Sequence, residues 1–115
     1  MDDMNLPRHY QSLQERYPEV ISALEALGTA ARTQGPLDEP TSHLVRIAAA
    51  AAIGSEGAVH SHARRAIAAG ASADQIRHAV LLLVTTIGFP RAAAAMSWVD
   101  DIIDGPRGAA TADPR

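Results

Sequence analysis

Residues 55–76, SEGAVHSHARRAIAAGASADQI, decide how the fold is read, because they contain two helix starts separated by a glycine. Ser55 is a good N-cap, and the helix that follows it is predicted to end at Gly70. Ser72 and Gln75 then have the Ser-x-x-Gln spacing of a capping box, which predicts the start of another helix. The stretch therefore indicates consecutive helices joined by a tight glycine turn.

Helical periodicity continues on both sides of this stretch, and no strand-like alternation of apolar and polar residues is present. The apolar run from Ala79 to Val84 is typical of a central, buried helix. We expect an all-α fold, a compact bundle of about six helices in a single domain over residues 1–104. A mobile tail rich in Pro, Gly and Ala is expected at 105–115. The six helices are predicted at about 7–16, 18–33, 41–53, 55–69, 73–87 and 91–103.

The composition predicts a thin hydrophobic core. Aromatic residues make up only 3% of the chain and alanine roughly a fifth. Alanine favours helix strongly but brings little apolar area into a core. Burying helix faces against copies of the same chain would compensate, so we expect a homo-oligomer in which alanine-rich faces of the helices at 41–53 and 91–103 meet.

Charge and hydropathy exclude several classes of protein. A net charge of -3 and a pI near 5.9 argue against a nucleic-acid-binding face. The longest apolar stretches, 47–53 and 79–84, are far shorter than the roughly 20 residues that span a bilayer. The first residues do not resemble a signal peptide, so a cytoplasmic location is expected by elimination. The chain contains no cysteine, which excludes thiol chemistry.

Five histidines are the groups that could act as acids or bases near neutral pH. His62 shares a helix face with Ser55, seven residues earlier, whereas His60 lies about 200° further round the helix. The pair should therefore not converge on one ligand. His60 lines up with Glu56 and Arg64 and is expected to form an ordinary ion pair at the surface or at an interface.

His62 and His43 each have a structural alternative to a functional role. His62 could be a structural histidine bonded to a backbone carbonyl, and His43, in the first turn of its helix, could simply be exposed. A metal site gathering His43, His62 and Glu56 across two helices is a further interpretation. No phosphate-binding loop, nucleophile elbow or paired-carboxylate motif is present, and we expect no cofactor.

The run from His60 to Ser72, followed by Asp74-Gln75-Ile76, resembles the core of the carboxymuconolactone decarboxylase and alkylhydroperoxidase D-like family. The resemblance extends back through Gly35-Pro36-Leu37-Asp38 and the helix at 44–52, and forward to Gly88-Phe89-Pro90, which resembles an element of the decarboxylase branch. It covers roughly residues 5–104. It implies an all-helical fold that assembles as dimers, trimers or hexamers with sites near subunit contacts.

This chain is a cysteine-free version of the family pattern. The peroxidase branch has a Cys-x-x-Cys pair, whose positions are Ser55 and Ala58 here, and a glutamate, whose position is His43. The histidine that follows the pair corresponds to His62. A serine and an alanine cannot form a redox dithiol, so peroxidase activity is not expected. The decarboxylase branch lacks the cysteine pair but keeps the histidine.

Three interpretations remain open from the sequence. The first is a cofactor-free enzyme that performs acid–base chemistry on a small carboxylate or lactone, with His62 and His43 moving protons and Ser55 helping to hold an anion. The second is a non-catalytic, oligomeric ligand-binding or scaffold protein that keeps only the fold. The third is a metal-dependent site.

Overall fold

The computed structural model describes the backbone of residues 8–112 and the side chains of residues 8–105. The predicted all-α fold is confirmed, because every regular element within these residues is a helix. The helices are α1 (Arg8–Arg16), α2 (Pro18–Thr33), α3 (Glu39–Ala52), α4 (Glu56–Ala68), α5 (Ala73–Leu81), α6 (Val84–Ile87) and α7 (Phe89–Ala112). None of the helices in this part of the chain is long and apolar enough to cross a membrane.

The chain divides into two compact units, Met1–Pro36 and Leu37–Arg115. The first contains α1 and α2, and α2 begins at Pro18 as predicted, because a proline is tolerated where the helix needs no backbone donor. The Tyr10 hydroxyl of α1 donates a hydrogen bond of 2.6 Å to the Glu25 carboxylate of α2. A side-chain bond thus holds these two helices together.

The second unit contains the hydrophobic core, built largely from small residues. Alanines with no exposed surface allow the helices to approach closely, and the larger buried side chains fill the space between them. The fully buried large side chains are Ile47, Val59, Ile76, Val80 and Val99, and the alanines at 0% exposure are Ala51, Ala63, Ala66 and Ala95.

The prediction of one continuous helix at 73–87 is wrong, since the structure divides this stretch into α5 and α6. The backbone stays right-handed at Leu82 and Leu83, but the Leu83 N–H bonds to the Val80 carbonyl three residues back, which tightens the helix into a 3₁₀-like turn. The run from Ala79 to Val84 is also not buried all round in the single chain, where Leu81 and Leu82 are 57% and 61% exposed.

Salt bridges connect the last helix to α5. The Arg77 side chain of α5 donates to Asp100 at 2.9 Å and lies 3.4 Å from Asp104, both on α7. α7 starts at Phe89 rather than at about 91, and its helical conformation is interrupted at Gly105, where φ is 62°. Apart from Gly105, the predicted mobile tail lies outside the residues whose side chains are described, and its mobility stays a prediction, as does the single domain at 1–104.

Candidate functional site

The site is positioned by the short turn between α3 and α4. The Ser55 N–H bonds to the Ala50 carbonyl and the Gly54 N–H to the Ala51 carbonyl, which is a Schellman motif with Gly54 at φ 74°. The Ser55 hydroxyl then accepts a hydrogen bond from the Ala58 N–H and caps α4, as predicted. Because this turn is short and hydrogen-bonded at both helix ends, it fixes which faces of α3 and α4 meet.

His43 of α3 and His62 of α4 meet across this helix pair. Their Nδ1 atoms lie 3.4 Å apart, and the ring centroids are 5.6 Å apart with a tilt of 32°. His43 is only 3% exposed, so the expectation that it is an ordinary surface residue is wrong. His62 is partly exposed and is therefore the ring of this pair that a ligand can reach.

The contact between the two rings has a consequence for their protons. When both rings are neutral, a bond between the Nδ1 atoms requires a proton on one Nδ1 and a lone pair on the other. The donating ring then keeps a lone pair on Nε2, whereas the accepting ring carries Nε2–H. The pair thus offers one base nitrogen and one N–H donor.

Burial keeps His62 neutral. It lowers the pKa of the imidazole from 6.5 to about 4, since a charged ring would be poorly solvated there. Positive charge on Arg65, His43 and Arg46 lowers the pKa in smaller measure. His62 therefore stays uncharged at neutral pH in the absence of a bound anion.

Two arginines and a serine near this pair were missed by sequence reasoning. Arg46 follows His43 by three residues and Arg65 follows His62 by three, so each lies one turn further along the same helix face. That spacing was the available signal. The Ser42 hydroxyl, next to His43 in the chain, is buried and has no hydrogen-bond partner within the described residues.

Ser55 lies at a distance from the histidine pair. Seven residues separate it from His62, which corresponds to about 10 Å along the axis of α4. Its hydroxyl accepts the capping bond from Ala58 but retains its own proton for donation. The structure thus brings His43 and His62 into contact and leaves Ser55 two helical turns away.

His60 points away from this pair, as the helical geometry predicted. Its Nε2 lies 3.1 Å from Asp101 of α7 and 3.9 Å from Glu56. The predicted proximity of His60 to Glu56 is present, and the contact is an ion pair when the imidazole is protonated. Asp101 is an additional partner that was not predicted. Glu56 therefore joins His60, and the possible metal site of His43, His62 and Glu56 is not formed.

Comparisons with known proteins agree with the fold and with the sequence resemblance. The model of the carboxymuconolactone decarboxylase family matches residues 18–101. Among solved structures, the chain is similar to a carboxymuconolactone decarboxylase family protein from Legionella pneumophila in its apo form, with a TM-score of 0.71 and 22% sequence identity over 83% of this chain and 88% of that one. The curated proteins give no significant sequence match. The family model covers most of the chain, and the chain belongs to the carboxymuconolactone decarboxylase family.

Proposed function

We propose that the protein performs cofactor-free acid–base chemistry on a small carboxylate or lactone, with the histidine pair as its centre. The observation that carries this proposal is the 3.4 Å contact between the Nδ1 atoms of His43 and His62. One ring is buried and the other is partly exposed, so the pair can move a proton at one accessible nitrogen while the second ring fixes its tautomer.

In this proposal His62 is the catalytic base and His43 is a positioning residue. His62 donates its Nδ1–H to His43, which leaves the His62 Nε2 lone pair free to take a proton from carbon next to a carbonyl group. The same Nε2–H then returns the proton to the product. Isomerisation of a lactone acid is completed by this proton movement and needs no redox group. In a decarboxylation the bond to the carboxylate breaks, carbon dioxide leaves, and the carbon that remains takes a proton from water through the same nitrogen.

The charges around the pair favour an anionic substrate. After burial, which is the largest cause, the positive charges of Arg65 and Arg46 contribute to the lowered pKa of His62. A carboxylate bound there would be attracted by both arginines and would, in turn, favour protonation of His62.

We also propose that the chain assembles with copies of itself. Large apolar side chains remain exposed on the single chain, among them Ile53 at 77%, Leu82 at 61% and Phe89 at 68%. Exposed apolar area of this kind, together with an alanine-based core, supports burial between subunits.

Solvent exchange measured by NMR tests the proposed chemistry. A panel of small lactone acids in D₂O should show enzyme-dependent exchange of protons next to a carbonyl, or loss of carbon dioxide. His62→Gln should lower the rate by about 10²–10⁴, the usual contribution of a positioned base. His78→Gln, which changes an exposed histidine of α5, is the control and should leave the rate unchanged.

The alternative function is ligand binding without turnover. It predicts saturable binding of carboxylates by calorimetry, sensitive to His62→Gln, with no exchange and no carbon dioxide release from any member of the panel. That result would refute the catalytic proposal and identify a binding protein.

A further inference from the structure

A second cluster of potential ligands lies on another face of α4. Glu56 and His60 are four residues apart and therefore share one helix face, and Asp101 is contributed by α7. One ligand atom from each of the three residues lies within 4.8 Å of the others. This cluster plays no part in the proton chemistry proposed for His43 and His62.

The distances in the cluster are close to those around a bound metal ion. The His60 Nε2 atom lies 3.1 Å from Asp101 Oδ2 and 3.9 Å from Glu56 Oε2. A tetrahedral zinc ion with bonds of 2.0–2.2 Å holds its ligand atoms about 3.4 Å apart. Bound metal would require the two carboxylates to rotate until the three ligand atoms reach that spacing.

The charge of the cluster also favours a dication. Two carboxylates flank one imidazole, and within the side chains of residues 8–105 no arginine forms an ion pair with either of them. The side chain of His60 is 23% exposed, whereas those of Glu56 and Asp101 are 56% and 58% exposed. The imidazole is thus held by its surroundings, and the carboxylate side remains open to an ion and to water.

We infer that Glu56, His60 and Asp101 form a site for a divalent metal ion, for which Zn²⁺ is the best-suited probe. One nitrogen and two oxygen ligands belong to the set that zinc accepts, and the remaining coordination position is open to water. The site would join α4 to α7, so bound metal should also stabilise the folded chain.

Calorimetric titration of the full chain with zinc chloride tests the inference. We expect one zinc ion per chain, and a loss of affinity of at least about tenfold in Asp101→Asn and in Glu56→Gln, since even changes outside the first ligands cost that much. Asp74→Asn makes the same charge change at an exposed position of α5 and should bind zinc like the original chain. His62→Gln should also retain binding, which excludes the other histidine pair as the ligand.

Two further measurements keep the result decisive. Far-ultraviolet circular dichroism establishes that each variant is folded, and Co²⁺ should give a visible absorption band in the original chain that is absent in Asp101→Asn. Zinc binding that is equal in Asp101→Asn, that disappears in His62→Gln, or that never reaches one ion per chain would overturn the inference. The cluster would then be an ion pair of His60 and nothing more.

Discussion

Replacing Gly54 with alanine should destabilise the protein, whereas the same replacement at Gly57 should stabilise it. Gly54 has a φ of 74°, and a Cβ built on it meets the guanidinium of Arg91. Gly57 lies in the first turn of α4, where an added Cβ meets nothing within 4 Å. The two substitutions are three residues apart and remove the same flexibility from the unfolded chain.

The size of each effect follows from the local structure. A left-handed conformation costs a residue with a side chain about 1–2 kcal/mol. The Cβ at Gly54 also displaces Arg91, whose guanidinium donates to the Ala52 carbonyl at 3.3 Å, a bond worth about 1 kcal/mol. Lower entropy of the unfolded chain returns about 0.4–1 kcal/mol. Gly54→Ala should thus lower the free energy of unfolding by about 1–3 kcal/mol, and Gly57→Ala should raise it by about 0.5–1 kcal/mol.

Urea denaturation followed by circular dichroism measures both effects. The contribution of the clash is isolated by repeating Gly54→Ala in an Arg91→Ala chain, where the guanidinium has gone and the loss should shrink by about 1 kcal/mol. If Gly54→Ala and Gly57→Ala shift the free energy of unfolding in the same direction, the account of this turn is refuted.

The remaining predictions concern pH, redox chemistry and assembly. Between pH 6.5 and about 4 the unfolded chain binds a proton at His62 that the folded chain does not. The free energy of unfolding should therefore fall as the pH falls through this window. After allowance for the partial exposure of the ring, the fall should be about 1–2 kcal/mol. Urea denaturation from pH 4 to 7.5 should show a smaller fall in His62→Gln, and equal falls in both chains would contradict this. The original chain should reduce no hydroperoxide with a dithiol donor, and turnover above a heat-denatured control would disprove this. The double variant Ser55→Cys, Ala58→Cys should form a disulfide but give little peroxidase activity. Sedimentation at micromolar concentration should show an oligomer, and a single species of 12.1 kDa would exclude one.

The helix starts could be predicted from the sequence because each depends on residues close together in the chain. Ser55 and Ser72 accept the expected bonds from backbone N–H groups three residues ahead. The division between α5 and α6 could not be predicted in this way. Leucine is a strong helix former, so Leu82 and Leu83 give no local signal that a helix ends there. Leu83 packs against the core, which depends on residues distant in sequence.

The candidate site was predicted in part for the same reason. Helical geometry separated His60 from His62, and the family resemblance brought His43 opposite His62. The partner of His60, however, lies 41 residues away on α7, a separation at which no local pattern reveals Asp101. The lowered pKa of His62 could also not be predicted from the sequence, because it results mainly from burial, which depends on how the helices pack.

Ser55 shows how a helix start can change its chemistry without changing the architecture. The family resemblance places a redox cysteine at this position in the peroxidase branch, where the helix terminus activates a thiol. A serine hydroxyl accepts the bond from the Ala58 N–H, as the structure shows, and serine is among the preferred N-caps, worth about 1 kcal/mol relative to alanine. A serine at this position therefore keeps the helix start intact without supplying a thiol. The same backbone turn can accommodate either a redox group or a purely structural cap.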